Sequence, residues 1–343
     1  MIDKNSIEIT IISPIYQEAK FIVNFLQSII DQDCEKENLE VLLIDGMSTD
    51  GTRDIILNYT KKYSYFHLID NPEHTVPFAL NSGIRKAKGK IIIRLDAHCK
   101  YPQNYISELA KQLMTLDADN VGGLWLTIPA NDSTEAISVA ACSSHPFGVG
   151  GSEHKTGAHK IHKVDTVPFG CYKREVFDRI GLFDEELTRN QDDEFNGRLI
   201  KHGGSIYIIP NLIIEYTARE DLKKTRKMYY QYGLFKPLVN KKLGSPATIR
   251  QFFPALFCIG IIIGAVLSPL AAWIRCAYIS TLIIYAIIGT IIGIKTAFLY
   301  KRILLVAYMP YTFLNIHLSY GIGYIHGFWK VLTGKKFNVK TNR

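Results

Sequence analysis

Strand-like and helix-like segments alternate along the first third of the chain, and few folds accommodate that order. Hydrophobic patterns typical of strands cover residues 7–13, 40–44, 65–69 and 90–95, and helical periodicity covers 19–31, 52–62, 77–88 and 102–114. Such alternation is typical of an α/β fold with a mostly parallel sheet and flanking helices, because parallel strands need crossover connections. In such sheets ligands bind at the carboxyl ends of the strands.

The charge of the chain is divided between two regions. Residues 1–220 hold 23 basic and 31 acidic side chains, whereas residues 221–343 hold 17 basic side chains and a single acid, Asp221. The basic residues lie beside long apolar runs, as they do next to a membrane. The net charge of +8 therefore indicates membrane lipids as a partner and not nucleic acid.

Three uncharged stretches follow residue 250. Residues 251–274 and 276–294 each come close to the ~20 residues that cross a bilayer core, and we predict a transmembrane helix in each. The third stretch, 303–329, contains Asn315, His317 and His326, so crossing, re-entrant and interfacial arrangements all remain open. The predicted organisation is a globular domain over 1–220, a basic juxtamembrane segment over 221–250, a membrane domain over 251–329 and a basic tail over 330–343.

The distribution of Lys and Arg also predicts a topology. A third full crossing would place the basic tail outside, against the positive-inside rule, so we expect two crossings and a cytosolic carboxyl terminus. The first residues lack a signal-peptide pattern, and the six cysteines show no C-x-x-C spacing, which fits a reducing compartment. We expect a multi-pass protein of the cell inner (plasma) membrane with its globular domain in the cytosol.

Residues 129–165 are rich in Gly, Ser and His and show no clear period. A segment this long without secondary structure is usually a lid or a binding loop. Disorder is the alternative.

Two polar motifs follow the first two predicted strands: Ser13–Glu18 (SPIYQE) and Asp45–Thr52 (DGMSTDGT). The second could simply form a turn and cap the helix that begins near Thr52. The functional interpretation is that Asp45 accepts a hydrogen bond from a nucleobase or ribose, while the glycine lets the backbone approach the ligand.

The fourth strand ends in Leu95–His98 (LDAH), with Asp96 and His98 two residues apart. Both can reach one ion if the backbone bends out of strand geometry. A carboxylate and an imidazole suit Mn²⁺ or Mg²⁺ bridging a diphosphate. A surface aspartate beside an unrelated histidine is the alternative.

A fourth motif, Gln191–Leu199 (QDDEFNGRL), predicts a helix with Phe195 and Leu199 on one face and Asp192 in the first turn. The helix dipole favours an ionised carboxylate there, which suits a general base. The alternative is that the acidic residues of the first turn only stabilise the start of the helix.

These four motifs, in this order, resemble the glycosyltransferase family 2 catalytic domain of GT-A fold. The chain is similar more narrowly to the succinoglycan-type, ExoA-like glucosyltransferases, which carry membrane helices after the catalytic domain. The resemblance covers residues 7 to about 220, and the last third matches only in layout.

The resemblance implies roles for particular residues. The nucleotide pocket would be lined by Pro14, Tyr16, Glu18, Asp45 and Asp96, with Asn81 beside it. Asp96 and His98 would hold the metal ion, and Asp192, rather than Asp193, would be the base. The chain departs from the family pattern at Gly46, where a second Asp is frequent, at His98, which replaces the last Asp of the metal motif, and at Gln191, which replaces Glu.

The implied activity is inverting transfer of a hexose, of glucose type, from a UDP-sugar to a polyprenyl-linked saccharide in surface polysaccharide biosynthesis. A polysaccharide assembly complex is a further partner that the resemblance implies. Two alternatives are a glycosyltransferase that acts directly on a polyprenyl phosphate and a non-catalytic assembly scaffold. The basic residues from Lys223 to Arg250, interleaved with Tyr and Phe, could hold the pyrophosphate of the lipid carrier or could be only a positive-inside flank.

Overall fold

The structure, a computed structural model, describes residues 7–246 and 248–337. These residues divide into two compact units. The first comprises 7–126 and 157–216, and the second comprises 127–156 and 217–337. Residues 127–156, assigned from sequence to the first domain, therefore group with the second unit. The end of the predicted basic tail, 338–343, lies outside the described residues.

The strands of the described chain form one sheet in the order β3-β2-β1-β4-β8-β6-β9-β5, with β7 paired to β9. The bounds of the strands are β1 Ile9–Ile15, β2 Leu39–Asp45, β3 Phe66–Asp70, β4 Ile91–Arg94, β5 Cys99–Lys100, β6 Asn120–Ile128, β7 His162–Lys163, β8 Cys171–Lys173 and β9 Ile206–Thr217.

The helices are α1 Ile22–Ile30, α2 Thr52–Lys62, α3 Val76–Lys86, α4 Tyr105–Thr115, α5 Thr134–Ser144, α6 Pro146–Val149, α7 Glu153–Thr156, α8 Glu175–Ile180, α9 Gln191–Lys201, α10 Leu222–Leu243, α11 Phe253–Leu267, α12 Ala272–Tyr300 and α13 Leu305–Thr333. Two 3₁₀ turns, Lys36–Asn38 and Ile249–Phe252, complete the described elements.

The four strands and four helices predicted over the first 115 residues are confirmed to within a few residues at their ends. The strands β1 to β4 pair in parallel, and the register sets Ile15 opposite Asp45 and Ile12 opposite Arg94. Their carboxyl ends therefore meet at one edge of the sheet.

Alternate residues of these strands face opposite layers, because side chains in a strand point to opposite faces. Ile11, Leu43 and Ile93 pack in one core with α1 and α4. Ile12, Leu42 and Ile92 pack in the other with α3, α8 and α9. Burial on both faces explains why these strands are almost continuously apolar.

The predicted α/β fold with helices on both faces is confirmed, and the sheet is mixed. Strand β8 pairs antiparallel with β4 and β6, and β9 pairs antiparallel with β5 and β7. Of these strands, β5, β7 and β8 have only two or three residues. Strands that short have no recognisable hydrophobic period, so the antiparallel strands could not be predicted from the sequence.

The interpretation of 129–165 as a structureless lid or loop is wrong, because this stretch contains α5. The Ser133 hydroxyl caps the helix by accepting a hydrogen bond from the Ala136 N–H at 3.1 Å. Seven of its eleven residues are buried: Ala136, Ile137, Ser138, Val139, Ala140, Cys142 and Ser143. A helix buried on most sides has no amphipathic period, which is why the pattern was missed.

Two segments of the described chain, Ile249–Leu267 and Ala272–Tyr300, are long and apolar enough to cross a membrane. About four fifths of each hydrophobic window is not buried within the protein, unlike the core helix of a soluble domain. They overlap the predicted spans 251–274 and 276–294, but the first helix ends at Leu267, and the second begins at Ala272, within the first predicted span, and continues to Tyr300.

The third apolar stretch forms α13, one unbroken helix of 29 residues. A re-entrant segment needs a turn within its length, and α13 has none, so that arrangement does not fit. The helix α13 packs closely on α10 through glycines. A Cβ on Gly323 would lie 2.2 Å from the carbonyl oxygen of Tyr230, and one on Gly233 would lie 2.0 Å from that of Tyr320. Crossing and interfacial arrangements both remain compatible with a continuous helix.

Candidate active site

The loops after β1 and β2 are joined by hydrogen bonds at the carboxyl edge of the sheet. The backbone N–H of Gln17 donates to the Ser48 hydroxyl at 2.8 Å, and that of Glu18 donates to the Thr52 hydroxyl at 2.9 Å. The Ala19 N–H donates to the Asp50 carboxylate at 3.0 Å. The two loops therefore form one hydrogen-bonded unit. Side-chain oxygens of the Asp45–Thr52 loop accept hydrogen bonds from the backbone of the loop after β1.

Asp45 organises this structure from within. Its carboxylate accepts hydrogen bonds from the backbone N–H of Ser48 at 2.9 Å, from the Ser48 hydroxyl at 2.5 Å and from the Arg53 guanidinium at 2.8 Å. None of its side chain is exposed. The expected direct contact between Asp45 and a nucleotide is therefore not available in this structure, because internal donors already surround the carboxylate.

Tyr16 and Gly46 lie side by side where the two loops meet. A Cβ on Gly46 would lie 3.1 Å from Cδ2 of Tyr16, tighter than ordinary packing. The Gly46 carbonyl accepts a hydrogen bond from Nδ1 of His74 at 2.7 Å, and the His74 ring meets Tyr16 edge-on at 6.0 Å. This crowding gives a physical reason for glycine at position 46. Pro14 is partly exposed on β1, opposite Ile44.

Asn81 has a structural role in place of the expected one beside the nucleotide. Its side-chain amide donates to the Phe183 carbonyl at 2.9 Å and to the Glu185 carboxylate at 2.8 Å, and its oxygen accepts from the Phe183 N–H at 3.0 Å. The side chain is buried. Since both ends of the amide are used within the protein, Asn81 anchors the segment before α9.

The backbone turns sharply after β4, as the metal hypothesis required. The strand ends at Arg94, and the Asp96 carbonyl accepts a hydrogen bond from the Cys99 N–H at 3.3 Å. The buried hydroxyl of Tyr101 fixes the turn, because it accepts from the Asp96 N–H at 2.8 Å and donates to the Asp96 carbonyl at 3.2 Å. Asp96 and His98 both keep part of their side chains exposed.

Glu18 lies against His98 and is almost completely buried. Its Oε1 is 3.6 Å from Nδ1 of His98, and the His98 ring meets Tyr216 edge-on at 5.5 Å. A carboxylate beside one ring nitrogen orients an imidazole so that the other nitrogen can serve as a ligand. Glu18, which the resemblance placed in the nucleotide pocket, thus lies close to His98, although 3.6 Å is longer than a hydrogen bond.

Arg94 joins Asp96 to Asp192 and was given no role from sequence. Its Nε and Nη2 donate to the two carboxylate oxygens of Asp96 at 3.0 and 3.1 Å, and its Nη1 donates to Oδ1 of Asp192 at 2.6 Å. Burial opposes the charged form of Arg94, but the charges of Asp192 and Asp96 outweigh it and raise the pKa further. An arginine inside an otherwise apolar strand must be paired, and that was the available signal.

Asp192 lies in the first turn of α9, as predicted, and about a third of its side chain is exposed. Desolvation is the largest effect on this carboxyl and raises its pKa above the ordinary value, and Arg94 acts in the opposite direction. A raised pKa suits a carboxylate that takes up a proton. Phe195 and Leu199, three and seven residues further along the same side of the helix, are buried, as predicted.

The neighbouring acid Glu194 has a different environment. Both of its carboxylate oxygens pair with Arg198, at 2.8 and 2.9 Å, and the side chain is buried. Arg198 in turn donates to the carbonyls of Ile180 and Leu182. Glu194 is therefore held in an ion pair that fastens α9 to the turn after α8.

The residues at the end of β4 fit a divalent cation as a pair of ligands. Among residues 7–246 and 248–337, no group of three or more His, Cys, Asp or Glu is arranged to hold a metal ion. Asp96 and His98 supply one carboxylate and one imidazole, a donor set that suits Mn²⁺ when a diphosphate completes the shell. Arg94 occupies both carboxylate oxygens of Asp96, so a metal ion would have to compete with it.

Comparisons with known proteins give matches in sequence and in fold. A family model described as "Glycosyl transferase family 2" matches residues 10–181. The chain is 32% identical to a dolichyl N-acetyl-alpha-D-glucosaminyl phosphate 3-beta-D-2,3-diacetamido-2,3-dideoxy-beta-D-glucuronosyltransferase of Methanococcus voltae, over 68% of this chain and 74% of that protein. It is 30% identical to the succinoglycan biosynthesis protein ExoA of Rhizobium meliloti, over 67% of this chain and 69% of that protein.

A solved mannosyltransferase, PcManGT from Pyrobaculum calidifontis in complex with GDP-Man and Mn²⁺, shares the fold. Its TM-score is 0.60 at 20% identity, over 96% of this chain and 88% of that chain.

Proposed function

Because this chain belongs to glycosyltransferase family 2, we propose that it transfers a hexose from a UDP-sugar to a saccharide carried on a polyprenyl lipid, with inversion at the anomeric carbon. The product would be a precursor of a surface polysaccharide. The observation that carries this proposal is the group formed by Asp192, Arg94 and Asp96, since it sets a partly exposed carboxylate of raised pKa beside a prospective metal ligand.

In the proposed mechanism, Asp192 removes the proton from the acceptor hydroxyl as that oxygen attacks the anomeric carbon and the bond to the nucleotide diphosphate breaks. The electron pair of that bond leaves with the diphosphate. A single displacement inverts the anomeric centre, so an α-linked donor gives a β-linked product. Arg94 orients Asp192, and Asp96 and His98 would hold a divalent cation, whose chemistry is to neutralise the charge on the diphosphate.

A lipid-linked saccharide is favoured as the acceptor by the named relatives. The Methanococcus voltae protein is named for transfer to a sugar carried on dolichyl phosphate, and the Rhizobium meliloti protein for succinoglycan biosynthesis. The name of the Methanococcus voltae protein favours extension of an existing lipid-linked sugar over direct glycosylation of a polyprenyl phosphate. Exposed basic residues lie in one group at each end of α10, and their positive charge would attract anionic membrane lipids and the pyrophosphate of a lipid carrier. They are Lys223, Lys224, Arg226 and Lys227 at one end, and Lys241 and Lys242 at the other.

A donor screen tests the proposed activity. Membranes containing the wild-type protein are incubated with radiolabelled UDP- and GDP-sugars together with extracted lipid-linked saccharides, and the organic phase is counted. We expect incorporation from one UDP-hexose that depends on a saccharide-bearing lipid. Incorporation that requires only polyprenyl phosphate would support the alternative acceptor, and no incorporation from any donor would support a scaffold.

The native cysteines provide a test of the proposed orientation of the first crossing. Cys276 is exposed near the start of α12, at the predicted external end of that crossing. In intact cells we expect an impermeant maleimide to label wild-type protein but not Cys276→Ser. In that background, Ser245→Cys should be labelled only after permeabilisation, because the exposed Ser245 precedes the first crossing. Labelling of Ser245→Cys in intact cells would place the catalytic side outside and refute this topology.

A further inference from the structure

Arg94 donates hydrogen bonds to two carboxylates that have different roles in the proposed reaction: Asp96 is a metal ligand and Asp192 is the base. Its guanidinium is almost fully buried and presents separate edges to the two partners. Nε and Nη2 bind Asp96, whereas Nη1 binds Asp192. Since different nitrogen atoms serve the two carboxylates, the contact with Asp96 can be lost without losing the contact with Asp192.

The position of the guanidinium is fixed from several sides. The Arg94 N–H donates to the Gly170 carbonyl at 3.1 Å, and the guanidinium lies 5.6 Å from the centre of the Phe169 ring. Phe169 and Gly170 both have positive φ, and a Cβ on Gly170 would lie 2.3 Å from the Tyr172 ring. Any other residue at position 170 would shift this support, so the backbone that holds Arg94 is itself closely constrained.

From this arrangement we propose that Arg94 is a positioning residue that competes with the divalent cation for Asp96 and keeps Asp192 in place when Asp96 is released. The inference rests on the proposed function, because it takes Asp96 as a metal ligand and Asp192 as the base. A cation at Asp96 has to bind oxygens that already accept hydrogen bonds from Nε and Nη2, and it is repelled by the positive guanidinium, so both effects lower the affinity of the protein for the metal.

The competition has a measurable consequence in the protein without nucleotide. Hydrogen bonds to charged groups contribute enough that their removal changes a binding constant by roughly 10- to 100-fold. Arg94→Gln removes the guanidinium, so Mn²⁺ should bind this variant roughly 10- to 100-fold more tightly than wild type. The same variant should turn over more slowly at saturating metal and donor, with KM for the donor changed only a few-fold, because Asp192 has lost its positioning contact.

The experiment is a Mn²⁺ titration followed by electron paramagnetic resonance on the purified full chain in detergent, without any nucleotide. Variants Arg94→Gln and Arg94→Lys are compared with wild type, and Arg85→Gln is the matched control because Arg85, on α3, is exposed and pairs with Glu185. Tighter Mn²⁺ binding in Arg94→Gln, an intermediate affinity in Arg94→Lys and no change in Arg85→Gln would support the proposal. Circular dichroism checks that each variant is folded.

Mn²⁺ affinity that is equal or weaker in both folded Arg94 variants would overturn the inference, as would a failure of every form to bind Mn²⁺. If Arg94→Gln does not fold, Arg94→Lys decides the direction, since its single ammonium cannot bind Asp96 and Asp192 as a guanidinium does. This titration requires no sugar transfer. A failure of the proposed function appears instead in the donor screen of wild-type protein.

Discussion

Replacing Asp192 with asparagine is expected to lower kcat by about 10² to 10⁴, the usual effect of losing a general base. Asparagine has nearly the same shape, and its side-chain oxygen can still accept the hydrogen bond from Nη1 of Arg94. Donor affinity should therefore change little. The measurement is steady-state transfer to the lipid-linked acceptor, with donor binding followed separately by titration.

Asp193→Asn is the matched control, since it alters the next carboxylate in the first turn of the same helix. It should keep most of the wild-type kcat. An inactive Asp193→Asn together with a fully active Asp192→Asn would move the base one residue along the helix.

The pH dependence of kcat is a second test of Asp192 as the base. The pKa of Asp192 is raised, chiefly by desolvation, and the carboxylate must be ionised to accept a proton. Activity should thus fall as the pH decreases through that pKa, and the acid limb should lie above about 3.9, the ordinary value for aspartate.

Removing divalent cations should lower transfer by at least about 10²-fold, because charge neutralisation by a metal ion stabilises a transition state by several kcal/mol. Chelated protein should regain activity with Mn²⁺ or Mg²⁺. Asp96→Asn should show a loss of similar size that added metal does not restore, since an amide oxygen is a weaker ligand than a carboxylate.

His98→Ala should raise the metal concentration needed for half-maximal activity while leaving some turnover at saturating metal. Full activity in exhaustively chelated wild-type protein would show that Asp96 and His98 hold no essential cation, and their role would then be structural.

The fold of the first unit follows from its sequence because its strands are buried on both faces. Continuous apolar runs such as those around Ile11 and Leu42 alternate with helices whose apolar residues recur at the helical period. Asp192, in the first turn of α9, was placed correctly because Phe195 and Leu199 set the buried face of its helix.

The partners of the polar side chains could not be predicted in the same way, because they depend on tertiary pairing. Asn81 and Phe183 are 102 residues apart, and Arg94 and Asp192 are 98 apart. A motif predicts which residue types lie at the edge of a sheet, but it does not predict which hydrogen-bond donor pairs with which acceptor. Asp45 shows the consequence, since its carboxylate faces Ser48 and Arg53 instead of open solvent.

The anomeric configuration of the product tests the central proposal most directly. Wild-type protein is incubated with the UDP-hexose found in the donor screen, labelled with ¹³C at the anomeric carbon, and the lipid-linked product is isolated for NMR. Asp192→Asn serves as the inactive reference. We expect a UDP-α-hexose to yield a β-linked sugar on a saccharide-bearing lipid. An α-linked product formed at the wild-type rate would contradict a single displacement assisted by Asp192.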